Sequence, residues 1–211
     1  MKLDIIRREY KHAELLEDNM DKDPFNQFEK WLENALHARV FDATAMSVST
    51  IGTDGFPQTR IVLLKNYGPE GFTFFTNYNS EKGKSILQNP KVALHFFWPE
   101  LERQIRITGS AEKTSEDVSN SYFSSRPLLS QLSAVISDQS NKIPSRNYLE
   151  EKLNTLKTSL KSGMPERPEN WGGFLVKPVK FEFWQGRENR LHDRILYENL
   201  DEKWIISRLA P

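Results

Sequence analysis

The spacing of hydrophobic positions changes rhythm several times along the chain. Phe28, Trp31, Leu32, Ala35 and Leu36 recur at intervals of three and four, which predicts a short amphipathic helix with that face on a core. From Ala45 the rhythm shortens to two. Runs at 46–51 and 58–65 flank Asp54-Gly55, the pattern of a hairpin closed by a tight turn. Further strands are predicted over 72–76, 92–98 and 103–111, with a helix over 80–88 between the first two. Helical spacing returns over about 115–161, where Leu149, Leu153, Leu156 and Leu160 trace one stripe, read as a packing surface rather than a partner site. After a Pro-rich loop at 164–168, strands are predicted over 174–184, 190–197 and 203–209. The first two dozen residues are charged and weakly patterned, an arm with some helix.

Strands early and late with helices between them predict a mainly β (α+β) fold, a closed or split β-barrel with helical additions. At 211 residues the chain can bury one substantial core. The expected organisation is an arm or lid over 1–26 and a single domain over 27–211 that carries the helical insertion.

Charge and composition narrow the chemistry. Lys plus Arg and Asp plus Glu number 29 each, so no global basic field draws in nucleic acid or an anionic membrane, and any anion site must be local. Neither a signal peptide nor a membrane span is visible, and a soluble cytoplasmic protein is expected. The absence of cysteine removes disulfides, thiolate nucleophiles and Cys-based zinc sites together. Gly83-Lys84-Ser85 imitates the end of a phosphate-binding loop, but Tyr78 stands where that motif needs its first glycine. There is no Gly-x-Ser-x-Gly elbow, and the histidines at 12, 37, 95 and 192 lack helical metal-pair spacing. No metal site is expected.

Three local clusters carry candidate chemistry. If 190–194 is extended, a two-residue period sends Arg190, His192 and Arg194 to one face, where they either meet something anionic or flat and polar, or pair with acids such as Glu182 or Glu188. Arg60 and Lys65 bracket a strongly apolar strand. Their opposite parity favours two distinct anions over one, unless both simply reach into solvent. Tyr122, Arg126 and Ser130 offer two hydroxyls and a guanidinium suited to a phosphate, across the break that Pro127 imposes.

The segment Phe181-Glu-Phe-Trp-Gln-Gly-Arg-Glu-Asn-Arg-Leu-His-Asp-Arg194 occurs with Arg60-Ile-Val-Leu-Leu-Lys65, Tyr122-Phe-Ser-Ser-Arg-Pro127, Gln139-Ser140 and a terminal Arg208-Leu-Ala-Pro211. In this order and spacing, from Arg7 to Pro211, the chain resembles the pyridoxamine 5'-phosphate oxidase family. The resemblance implies an FMN-binding split β-barrel that works as a homodimer, with FMN in a cleft where the subunits meet. It assigns FMN contacts to Arg60, Ile61, Val62, Leu63, Leu64 and Lys65. Phe75, Thr76, Lys82, Gln104, Gln139, Ser140, Trp184 and Arg194 complete that set. Cations suit the doubly charged FMN phosphate. The substrate phosphate falls to Lys65, Tyr122, Arg126 and Ser130. The substrate ring falls to Arg190 and His192, the catalytic candidates, with Leu191 between them also a substrate contact. Arg7, Arg8, Glu9 and Tyr10 resemble a segment that folds over the occupied site and excludes water.

The implied reaction is oxidation of pyridoxamine or pyridoxine 5'-phosphate to pyridoxal 5'-phosphate, by hydride transfer to the flavin and reoxidation by oxygen to give hydrogen peroxide. One position departs from the family pattern: Ser80-Glu81-Lys82 stands where Ser-Arg-Lys is common. An acid there repels a phosphate if it points inward, so Glu81 is expected to turn outward and leave Arg60 and Lys82 to hold the anion. Two rivals are a related phenazine-pathway oxidase and a non-catalytic carrier of flavin or pyridoxal phosphate. The phosphate set argues against the first, and the coexistence of flavin and substrate sets against the second.

Overall fold

Asp23 starts the first helix for a local reason: its carboxylate accepts the amide proton of Phe25 at 2.8 Å, and Pro24 fills the first turn, where no amide donor is needed. The computed structural model describes residues 10, 13–160 and 163–211. Helix α1 spans Pro24–His37 and buries Phe28, Trp31, Leu32 and Ala35. Leu36, predicted to share that face, lies one step past it and is 55% exposed.

The elements that follow are β1 (Ala45–Ile51), β2 (Pro57–Leu63), β3 (Asn66–Gly68), β4 (Gly71–Asn77), α2 (Glu81–Gln88), β5 (Lys91–Trp98) and β6 (Arg103–Lys113). Three helices come next, α3 (Glu116–Ser125), α4 (Leu128–Ile136) and α5 (Arg146–Leu160), then β7 (Trp171–Gln185), β8 (Asp193–Leu200) and β9 (Lys203–Arg208). The nine strands form one sheet, in the order β2-β1-β5-β6-β7-β4-β3, with β8 on β7 and β9 on β8. All pairings are antiparallel. The sheet curls into a split barrel as β2 approaches β4. Among the described residues no helix is long and apolar enough to cross a membrane.

β7 organises the split. It runs along β6 on one side, while on the other it pairs first with β4, up to Val176, and then with β8, from Lys180. The change of partner coincides with a bulge: Thr108 faces Lys180 and Gly109 faces Pro178, which skips Val179. Proline has no amide to give a ladder, and bulges are where sheets bend. Gly109 permits the close approach there, since a Cβ would lie 2.2 Å from the Lys177 carbonyl oxygen.

Alternate residues of these strands fill the core. Phe72, Phe74, Phe96, Ile105, Ile107, Phe181 and Phe183 are fully buried. α1 closes over them, with Phe28 edge-on to Phe72 at 4.8 Å and Trp31 edge-on to Phe183 at 5.2 Å. Each such aromatic ring contributes roughly 1.5–3 kcal/mol of burial. The α5 leucine stripe is less committed: α5 packs on α4, yet it has no fully buried residue.

Candidate functional site

The strand that carries Arg60 ends at Leu63, and the chain then changes partners. The Leu64 amide donates to Thr44 O and the Lys65 amide to Thr73 O, each at 2.9 Å. This step across the seam between β2 and β4 resolves the parity problem of Arg60 and Lys65, which line two adjoining cavities. Leu64, assigned by resemblance to the cofactor, instead turns into the core, because the seam needs an apolar plug there. Ile61, Val62 and Leu63 line the larger cavity.

That larger cleft encloses about 580 Å³ between the seam, β4 and the α3–α4 corner. α3 ends at Ser125 and Pro127 precedes α4, and this break brings Tyr122, Arg126 and Ser130 to one wall with Lys65 opposite. The Arg126 guanidinium lies 4.6 Å over the Trp171 ring, and its buried Nη1 has no hydrogen-bond partner among the described residues. Burial pushes its pKa down. Tyr122 stacks on Phe75 at 3.9 Å, and Phe75 on Trp171 at 5.6 Å. The floor is therefore a stack of three aromatic rings beside a half-buried cation that meets no counter-charge among the described residues.

The smaller cavity, about 420 Å³, is lined by Arg60, Glu81, Ser140 and Gln58, and it shares Lys82 and Gln139 with the larger. Ser80 caps α2 by accepting the Gly83 amide at 3.2 Å, so the first turn of the helix brings Lys82 inward. Lys82 Nζ donates to Thr76 Oγ1 at 3.0 Å and Gln139 Oε1 at 3.3 Å, both neutral. Burial first, and then Arg60, lower its pKa, while Glu81 opposes the shift. Arg60 likewise meets neutral acceptors, donating to Thr50 Oγ1 at 2.8 Å and Gln58 Oε1 at 3.1 Å. Glu81 is exposed but does not leave the pocket as expected: it lines the wall and accepts from Gln58 Nε2 at 2.9 Å.

A second constellation lies at the other end of β7. Trp184 and His192 stand 4.8 Å apart, and Tyr10 packs edge-on to both at 5.6 Å. Gly186 makes room, since a Cβ there would fall 2.6 Å from Tyr10 Cγ. Trp184 faces Gln104 across β6 and Arg194 across β8, and Gln104 Oε1 lies 3.1 Å from His95 Nε2. The predicted strand over 190–197 starts late, at Asp193. Asn189 and Arg190 take φ of 54° and 62° in a 3-10 turn whose entry is fixed by His192, Nδ1 of which accepts the Arg187 amide at 3.1 Å. Strand alternation therefore does not align Arg190 and His192 with Arg194. Arg194 takes the plainer alternative, paired with Glu182 at 2.9 Å and donating to Ala210 O at 2.8 Å. Leu191 is 68% exposed on the same turn. Burial, then Arg190, hold the His192 pKa below the usual histidine range, against the pull of Asp193. Arg7, Arg8 and Glu9 lie outside the described residues.

The structure thus gathers Lys65, Phe75, Thr76, Lys82, Tyr122, Arg126, Ser130 and Gln139 into the larger cleft, and Arg60 and Ser140 into its neighbour. Gln104, Trp184, Arg190, His192 and Arg194 line neither cavity. Trp171 and Trp184, at opposite ends of β7, mark the two groups; at ~3.3 Å per residue the strand between them runs on the order of 40 Å. Trp171 and Gln58 also line these cavities, though the sequence does not single them out. The first sits beside Gly172-Gly173, where an aromatic residue next to two glycines hints at close backbone packing; the second carries no signal of its own.

Comparison with known proteins accords with this geometry. The family described as pyridoxamine 5'-phosphate oxidase matches residues 32–159, and the pyridoxine 5'-phosphate oxidase C-terminal dimerisation region matches residues 171–211. The pyridoxine/pyridoxamine 5'-phosphate oxidase of Flavobacterium johnsoniae is 53% identical over 206 residues, 97% of this chain and 96% of that protein. The protein of the same name from Hahella chejuensis is 50% identical, with both chains covered in full. Among solved structures, PhzG from Burkholderia lata 383, in complex with tetrahydrophenazine-1-carboxylic acid, superposes with a TM-score of 0.88 at 26% identity, covering 95% of this chain and 100% of that one. A split barrel with two adjoining cation-lined cavities, matched along nearly its whole length by relatives at about half identity, belongs to the pyridoxamine 5'-phosphate oxidase family of oxidoreductases.

Proposed function

We propose that this chain oxidises pyridoxamine or pyridoxine 5'-phosphate to pyridoxal 5'-phosphate, with FMN as resident cofactor and oxygen as acceptor. The amine consumes one oxygen and one water and releases ammonia and hydrogen peroxide; the alcohol consumes one oxygen and releases hydrogen peroxide. The observation that carries this reading is the pair of adjoining cavities whose cations are bonded to no carboxylate among the described residues: half-buried Arg126 with exposed Lys65 in one, half-buried Arg60 in the other, and buried Lys82 between them. Two phosphates, one on a cofactor and one on a substrate, are what such a pair accommodates.

The residues present fit FMN. Arg60 and Lys82 offer charge-assisted donors now spent on neutral acceptors. When bound, FMN supplies the two-electron redox chemistry that side chains lack. The remaining work falls to the chain itself. Lys65, Arg126, Tyr122 and Ser130 hold the substrate phosphate, and the Arg126 Nη1 proton gains an acceptor there. His192, with Nδ1 accepting from the Arg187 amide, carries its proton on Nε2 and so offers a donor to the substrate ring, beside the positive charge of Arg190. Tyr10 covers Trp184 and His192, which excludes water from that end.

The two residue groups lie at opposite ends of β7 in one chain, so we assign each complete site to two copies, one giving the phosphate cavities and the other the Trp184–His192 group. The match of residues 171–211 to a dimerisation region supports this homodimer. The likeness to PhzG rests on lower identity than the likeness to the named oxidases, and the phosphate set has no use on an unphosphorylated ring. The test is to mix the protein with FMN and pyridoxine 5'-phosphate without oxygen and follow flavin absorbance. Bleaching, recovery on admitting air and formation of pyridoxal 5'-phosphate are expected. A bound flavin that never bleaches would overturn the catalytic reading, and failure to bind FMN would overturn the cofactor.

A further inference from the structure

Glu81 looks misplaced: a carboxylate on the wall of a cavity built from Arg60 and Lys82. Simple electrostatics makes it a repulsive element for any phosphate there. Its contacts suggest another role. Glu81 Oε1 accepts from Gln58 Nε2 at 2.9 Å, and the other end of the same amide, Gln58 Oε1, accepts from Arg60 Nη2 at 3.1 Å. Arg60 Nη1 is held separately by Thr50 Oγ1 at 2.8 Å, with the carbonyls of Val48 and Gln58 at 3.3 Å.

The chemistry of these three groups permits one polarity. An ionised carboxylate only accepts, a guanidinium only donates, and a primary amide has one end of each kind. With Glu81 in place the amide nitrogen of Gln58 must face Glu81, which leaves its oxygen for Arg60. Without Glu81 the amide is free to turn over, and its NH2 group would then face the guanidinium, donor against donor. Glu81 also adds the negative charge that offsets burial at Arg60 and Lys82, opposing the downward shift of both.

We propose that Glu81 is a positioning residue for the phosphate-binding cation Arg60, acting through Gln58 by fixing which end of that amide Arg60 meets. The acid thereby strengthens binding of a phosphate monoester in the smaller cavity, the reverse of what its charge alone implies. This rests on the reading of that cavity as the FMN phosphate site.

The experiment is direct titration of the FMN-free protein with FMN and with riboflavin, which lacks the phosphate, for the wild type, Glu81→Ala, Glu81→Gln, Gln58→Ala and the Gln58→Ala/Glu81→Ala double variant. Glu81→Ala should weaken FMN binding about five- to tenfold, the scale of one oriented hydrogen bond, and leave riboflavin binding unchanged. Glu81→Gln, which keeps an acceptor oxygen, should restore most of the loss. The double variant should bind FMN no more weakly than Gln58→Ala alone, because the two residues act in series. Tighter or unchanged FMN binding by Glu81→Ala overturns the proposal, and so does equal loss of FMN and riboflavin. A wild type that does not prefer FMN to riboflavin removes the phosphate assignment and this inference with it. A wild-type preference that persists undiminished in Glu81→Ala defeats this inference alone.

Discussion

Lys82 is only 9% exposed, and every hydrogen bond it makes goes to a neutral oxygen. A cation in that state destabilises the ligand-free protein until an anion arrives, which is how binding energy is stored in a preformed site. His192 obeys the same logic with the opposite outcome, because a neutral imidazole escapes the penalty. Its folded pKa is depressed, so protonation favours the unfolded chain: the bond from the Arg187 amide to Nδ1 is intact above the ordinary histidine pKa of about 6.5 and is lost as pH falls through the lower folded value. An NMR titration should find His192 below 6.5 and should find it higher in Arg190→Ala, since Arg190 is the second cause of the shift. A wild-type value at or above 6.5 would contradict the geometry. At this scale the sequence was informative about residue type and silent about company. The cations at 60 and 65 were legible because they bracket an apolar run, and that at 126 because hydroxyls flank it, whereas Lys82 in the polar stretch Ser80-Glu81-Lys82 came from the family resemblance alone. That Arg126 Nη1 lacks a partner, that Leu64 plugs the core, or that Gln58 links Arg60 to Glu81 depends on residues remote in sequence.

Among the elements, two arginines tie down the described part of the arm: Arg187 Nη1 donates to the Ala13 carbonyl at 3.4 Å and the Glu14 carboxylate at 3.3 Å, and Arg208 makes the shorter contacts. Arg208, at the end of β9, grips the Glu17 carboxylate at 2.6 and 2.8 Å, the Leu15 carbonyl at 2.7 Å and Asp193 at 2.6 Å. Asp193 in turn accepts the Leu15 amide at 3.0 Å and lies beside His192, so the arm and the site turn share an anchor. Exposed ion pairs alone contribute little, but here two backbone groups are held as well. Arg208→Ala should therefore speed proteolytic cleavage between residues 13 and 20 and raise the KM for the phosphorylated substrate severalfold, with FMN affinity unchanged; a variant that resists protease as the wild type does would refute the anchor. Hydrogen bonding to Arg208 pulls the Glu17 pKa down to about 2. The contribution of this pair is thus complete above the ordinary carboxylate range and is lost only as pH falls through about 2. Most elements were visible in the chain because their period is plain: α1, the β1–β2 hairpin, α2 and β4 to β6 fall where the hydrophobic pattern sets them. The late start of β8 was not visible. Alternation across 190–194 imitates a strand, while the left-handed turn at Asn189 and Arg190 and the anchoring of Asp193 are tertiary events.

For the molecule as a whole, the barrel and its helical insertion followed from the order of strand and helix signals. What the order of signals could not convey is distance: motifs adjacent in a list of site residues are spread along a bent strand, with the cavities near Trp171 and the aromatic group near Trp184. If each working site borrows one group from either copy, two different lesions need not combine. Arg126→Ala and His192→Ala homodimers should each be nearly inactive. Unfolding and refolding them together would create hybrids in which both lesions fall in one cleft and the other cleft is whole. With random pairing half the dimers are hybrid and half of their clefts intact, so activity should recover to about a quarter of the wild-type level. No recovery would mean that a single copy supplies both groups. The bend in β7 would then have to fold the strand's two ends onto one ligand, and recovery would make the enzyme a molecule whose two copies can repair each other.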